Sequence, residues 1–141
     1  MNEKQKDLIL LAFNDMQVIY GKTFIQKLFY IIKRQIKGLD IFEYYPYNYG
    51  PFSKELNQAI NDLIEEGYIQ EKRKGKYFLY QITDDGMKAA KKQKTIRSVE
   101  KNNVLKICQH VKKFTPREIL EYVYKKYPQT TIRSLLKNNT A

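Results

Sequence analysis

The stretch from Tyr47 to Ile69 limits what this chain can fold into more than any other, and its two glycines are the punctuation. Gly50-Pro51 predicts a turn. Ser53 is set to cap a helix, its hydroxyl accepting from an amide that the first turn leaves without a partner. Leu56, Ala59, Ile60, Leu63 and Ile64 then recur at i, i+3, i+4, i+7 and i+8, which is one face of a helix. Gly67 ends that helix, because glycine takes the left-handed conformation without a Cβ penalty. Tyr68-Ile69 begins an extended run.

Upstream, Leu8, Leu11, Ala12 and Phe13 predict a helix over about residues 3 to 16. A second helix is expected to start at Thr23, with Gln26 three residues on completing a capping box, and to stop at Gly38. Ile25, Leu28, Phe29, Ile32 and Ile36 are its stripe. Phe24 and Ile31 widen it, which marks this helix as central. Residues 39 to 49 are rich in Tyr, Ile and Phe and read as a short strand or extended arm, which Pro46 confines to a sheet edge.

Downstream, Ile69-Gln70-Glu71 and the run from Lys76 to Ile82 predict a hairpin joined by Lys72-Arg73-Lys74-Gly75, with Phe78, Tyr80 and Ile82 on one face. Thr83-Asp84-Asp85-Gly86 opens a short helix reaching Lys94, and Ser98 starts another with Val104, Ile107, Cys108 and Val111 inward. Thr115-Pro116-Arg117-Glu118 supplies an N-cap, a proline at the first position and a glutamate at the third, with Phe114 and Ile119 as a hydrophobic staple. Pro128 ends that helix, and a short one over about residues 131 to 136 follows. Turn, amphipathic helix, glycine and basic hairpin form the second half of a winged helix. The expected fold is therefore mainly α, in the α+β class. It has a winged-helix-like core with a small β-hairpin wing over residues 1–97, connector helix included. A C-terminal helical extension over 98–141 packs on it.

At 141 residues, 43% of them hydrophobic, the chain can bury one core. Its net charge of +11 favours polyanionic partners. One cysteine, Cys108, excludes a disulfide framework and any multi-cysteine zinc site, and suits a reducing compartment. The apolar run from Leu8 to Phe13 is too short for a membrane span or a signal peptide. The expectation is a cytoplasmic protein with no membrane association and no cofactor.

Two surfaces suit double-stranded DNA. The helix after Ser53 carries Lys54, Asn57, Gln58 and Asn61 opposite its apolar stripe, and Asn and Gln can bond adenine edges in the major groove. Glu55, Asp62, Glu65 and Glu66 on the same helix would repel phosphates. The second surface is the basic wing Lys72, Arg73, Lys74 and Lys76, joined by Lys91, Lys92 and Lys94 further on, all suited to backbone contact. Tyr44, Tyr45, Tyr47 and Tyr49 can stack on bases or ligand rings, or pack between helices. Catalysis finds little footing. His110 is the one histidine, and Cys108 two residues away points to another helix face. A metal would need more ligands, so no enzyme is expected.

An ordered series of motifs resembles a known family: Lys22 to Tyr30, Tyr49-Gly50-Pro51-Phe52-Ser53 with Leu56, Leu63 to Ile69, and Gln81 to Gly86. Tyr122 to Pro128, with Thr131 and Ser134, is similar to the family's closing helix. The series resembles the Panacea/SocA-type antitoxin domain and the related YwgA-like proteins over about residues 20 to 134. The resemblance implies an α-helical domain and, in the antitoxin branch, neutralisation of a toxin by direct protein binding. It implies no catalytic residues. The strong basic charge departs from what neutralisation requires and brings DNA forward. The leading expectation is a non-enzymatic DNA-binding regulator; the alternative is an antitoxin-type module that grips a partner protein. A homodimer interface would fall on the C-terminal helices, although no sustained heptad specifies one.

Overall fold

The computed structural model of the chain describes residues 1–47 and 50–128. The helix expected over 131–136, and Tyr49 of the tyrosine cluster, lie outside the described residues. The elements run α1 (Glu3–Met16), β1 (Val18–Tyr20), α2 (Lys22–Gln35), β2 (Tyr45–Tyr47), β3 (Gly50–Phe52), α3 (Lys54–Glu65), β4 (Ile69–Lys74), β5 (Tyr77–Ile82), α4 (Asp84–Lys91), α5 (Ser98–Val111) and α6 (Pro116–Lys126). The class is α+β. A three-stranded antiparallel sheet has the order β1-β5-β4, and β2 pairs with β3 in a separate antiparallel ribbon.

Two helices form the centre. In α1 the continuous run Leu8 to Phe13 is buried, because α3, α4 and α5 all pack against it. In α2 every residue from Phe24 to Ile32 is buried, under β1, β3, α5 and α6. A helix buried on all sides needs apolar residues beyond a single stripe, and Phe24 and Ile31 supply them.

Local caps hold the helix ends. Ser53 Oγ accepts from Leu56 N at 3.1 Å. At the other end of α3, Tyr68 N donates to Leu63 O at 2.9 Å and Gly67 N to Ile64 O at 3.1 Å, with Gly67 at φ +85°. That pair of bonds is a Schellman motif, which only a residue tolerant of positive φ completes cheaply. Thr83 Oγ1 accepts from Gly86 N and Thr115 Oγ1 from Glu118 N.

Several expectations need correction. Thr23 and Gln26 do not form a capping box: the N-cap of α2 is Gly21, two residues before Thr23, and no side chain caps it. Gln26 is drawn instead to a backbone 27 residues away. The helix ends at Gln35, not Gly38, and α4 ends at Lys91, not Lys94. Of the two readings for residues 39 to 49, the short strand is present as β2, Tyr45–Tyr47, which folds back on β3 with Pro46 opposite Pro51 and does not extend as an arm. The wing strands reach further than expected. They run through Lys74 and from Tyr77, leaving Gly75-Lys76 as a two-residue turn with Gly75 at φ +61°. Strand β1 went unforeseen; it pairs Val18, Ile19 and Tyr20 with Gln81, Tyr80 and Leu79. Among the described residues no helix is long and apolar enough to cross a membrane.

Candidate nucleic-acid interface and a buried lysine

The longer strands change how the wing presents its charge. Lys72 and Lys74 now lie on strand β4 opposite Leu79 and Tyr77, and alternation turns Arg73 to the other face, opposite Phe78. The Arg73 guanidinium lies 5.7 Å from the Phe78 ring centroid, and its Nε donates to Gly75 O at 3.1 Å. Lys72 Nζ donates to Gln81 Oε1 at 3.2 Å. The nearest acid, Glu71, is occupied: it accepts from Tyr80 OH at 2.7 Å. Burial, and then that bond to Glu71, raise the Tyr80 phenol above its ordinary range. Lys76 sits in the turn, exposed. Beside these cations Tyr77 is 72% exposed and Phe78 42% exposed. Sequence reading singled out the cations but not these two aromatics; their signal was the Lys76-Tyr77-Phe78 adjacency.

The α3 candidates divide. Lys54, Asn57 and Asn61 share one side by spacing, with Lys54 exposed and its ammonium 5.8 Å from the Tyr45 ring centroid. Gln58 is held locally, its Nε2 donating to Asp62 Oδ1 at 2.9 Å. It lines a polar depression with Asn2, Gln5, Glu55 and Asp62, where α1 starts. Glu55 also accepts from the Glu43 amide at 2.8 Å, which ties the entry of β2 to α3. The third group, Lys91, Lys92 and Lys94, is exposed at and just beyond the end of α4, which packs on α1. The candidates thus occupy three elements rather than one patch.

A different site lies where α2 meets β3. Gln26 grips the Ser53 peptide on both sides: its Nε2 donates to Ser53 O at 2.9 Å, and Ser53 N donates to its Oε1 at 2.7 Å. Next to it Lys27 is 2% exposed, and its Nζ donates to Pro51 O at 2.8 Å. Among the described residues no carboxylate pairs with this ammonium. Burial lowers the amine to about 7. Gly50 stands against it: a Cβ there would meet Tyr124 Cε1 at 3.0 Å and Lys27 Cε at 3.3 Å. A solvent-open cavity of about 130 Å³ adjoins these groups, lined by Lys22, Thr23 and Lys27 and by Tyr47, Gly50 and Phe52. Sequence reading passed over Lys27, although its place between Phe24 and Ile31 on a widened apolar face was the available signal.

Of the tyrosines, Tyr44 packs edge-on to Tyr30, with centroids 5.2 Å apart, and burial raises its phenol. Among the described residues the Tyr44 and Tyr45 hydroxyls are buried without a hydrogen-bond partner. Cys108 is buried with Sγ 4.0 Å from Ala12 O, and burial pushes its thiol up to about 12. His110 lies exposed against the edges of Phe114 and Tyr122. Among the described residues no three His, Cys, Asp or Glu side chains gather into a metal site.

No known family model matches the chain. It is similar to the protein named "Uncharacterized protein YwgA" from Bacillus subtilis (strain 168), 33% identical over 88 residues. The match covers 59% of this chain and 52% of that protein, so the chain spans about half the length of the curated relative it matches.

Proposed function

We propose that this chain is a non-enzymatic DNA-binding regulator on a winged-helix plan. The observation that carries the reading is the β4–β5 tip, where Lys72, Arg73, Lys74 and Lys76 stand on one exposed hairpin beside two exposed aromatic rings. The cations hold phosphates and the rings offer stacking surfaces next to them. The order α1, β1, α2, α3, β4, β5, with β5 between β1 and β4, supports the plan. In this reading α3 approaches the major groove through Lys54, Asn57, Gln58 and Asn61, and the wing lies on the backbone. Titration of labelled random and own-promoter duplexes across a salt series tests it. The logarithm of affinity should fall with the logarithm of salt at about −0.9 per phosphate contact, hence roughly −3 to −4 from the wing alone. A steep slope without sequence preference would remove α3 as a reader. No binding at low salt would remove DNA as the partner.

The acids of α3 favour a second reading. Glu55, Asp62, Glu65 and Glu66 oppose a phosphate surface but suit a protein one. In an antitoxin-type module of the Panacea/SocA kind, α3 and the β2–β3 ribbon would grip a partner such as a toxin. Tyr47, 48% exposed and 5.4 Å by centroid from Phe52, offers an anchor of the type that dominates protein interfaces. Co-purification with the product of an adjoining gene, lost on Tyr47→Ala, would favour this reading. Solution mass would test a homodimer through the C-terminal helices.

A further inference from the structure

Buried charge without a counter-charge is costly, and a fold that keeps one beside an open cavity invites an anion into it. Lys27 has one acceptor, the Pro51 carbonyl, which leaves two of its three protons without a described partner. Of the other lining groups, the Gln26 amide is consumed by Ser53, Phe52 and Gly50 carry no side-chain donor, and the Thr23 and Tyr47 hydroxyls are the neutral donors that remain. One exposed cation, Lys22, stands at the rim. The other titratable groups around the cavity are Tyr47 and Tyr124, and among the described residues no carboxylate lines it.

We propose that this cavity binds a small monocarboxylate, its oxygens on Lys27 Nζ and its short apolar body against the Tyr47 and Phe52 side chains. The lining is mostly apolar, which suits a monoanion with an apolar tail better than a strongly hydrated phosphate dianion, and an apolar molecule would leave the ammonium unpaired. The cavity, about 130 Å³, is far above the 10–15 Å³ that one water requires. It has room for a chain of a few carbons.

The experiment uses the full chain and butyrate, followed by amide chemical shifts at pH 6, 7, 8 and 9, with butylamine and butanol as controls. Butyrate is ionised throughout this range, so a change in affinity reports on the protein. Saturable shifts at Tyr47, Gly50 and Phe52 are expected with butyrate and not with either control. Bound carboxylate favours the charged amine, so affinity should hold below pH 7 and fall about tenfold per unit above it. Lys27→Met should abolish binding while the protein still melts cooperatively. Should that variant fail to fold, the pH series on the unaltered chain decides alone. A pH-independent affinity, equal binding of butanol, or no saturation by butyrate would overturn the proposal. Trapping of butyraldehyde on Lys27 by borohydride, without butyrate binding, would replace it with imine chemistry.

Discussion

The β4–β5 tip and the junction of α2 with β3 both depend on lysine, and they use it in opposite ways. At the tip the cations are exposed, and among the described residues none forms an ion pair; the adjoining Glu71 is engaged by Tyr80. Their repulsion is screened by water, and they add nothing to folding. At the junction one ammonium is buried, bonded to a backbone carbonyl, and without a counter-charge among the described residues. It costs stability whenever it is charged. A net charge of +11 hides this difference, because the count weighs each lysine equally. Depth alone separates a group that meets a partner from one that strains its own fold.

The largest expected effect tests the tip. Replacing Lys72, Arg73, Lys74 and Lys76 with Ser should cut duplex affinity roughly a hundredfold to a thousandfold at moderate salt and flatten the salt slope. Unfolding should move by no more than about 0.5 kcal/mol, since these are surface substitutions. Equilibrium binding and urea unfolding on the same variant check both halves. Retained affinity would shift the partner to a protein.

Next comes the junction. Gln26→Ala leaves the Ser53 N–H and C=O orphaned in a buried site, at about 1–3 kcal/mol each. A loss of roughly 2–6 kcal/mol in urea unfolding is expected. A loss under about 1 kcal/mol would mean that water replaces the amide.

Lys27 gives a pH signature. Its folded pKa near 7 lies below the unfolded value of about 10.4, so between those values the unfolded chain binds more protons. Stability should therefore rise with pH across that window, by up to about 1.4 kcal/mol per unit, and be lowest below pH 7. Lys27→Met should lack the rise and be the more stable of the two at pH 7. Parallel melting curves for both proteins from pH 6 to 10 read the difference. The smallest effect is Ser53→Ala, about 1 kcal/mol for a lost cap, seen as a small shift in melting temperature.

Legibility followed the distance over which each interaction acts. The cap at Ser53, the stop at Gly67, the cap at Thr83 and the box at Thr115 and Glu118 each close within a few residues. Sequence spacing alone announces them. Thr23 and Gln26 carried the same local signal and misled, because a carboxamide can serve either its own helix end or a distant peptide. Here the Ser53 backbone won. Strand β1 is three residues long and exists by pairing with β5, about sixty residues on, so no local pattern could raise it. On α3, Asn57 and Asn61 are half-buried and Gln58 is exposed, and only the structure turned Gln58 toward Asp62.

The facing prolines of the β2–β3 ribbon carry a last consequence. Proline has no N–H to give a neighbouring strand, so Pro46 and Pro51 sit at the pair that does not exchange bonds within the ribbon. At that pair the backbone groups point outward, toward wherever a third strand would join. The outer edge of β2 offers no donor there. The outer edge of β3 offers none either, and its Pro51 carbonyl already receives the Lys27 proton. Neither edge offers an N–H at that pair, which disfavours the addition of a further strand there. A molecule that docks on this tyrosine-rich ribbon is therefore recognised more readily by its side chains than by main-chain pairing at the prolines.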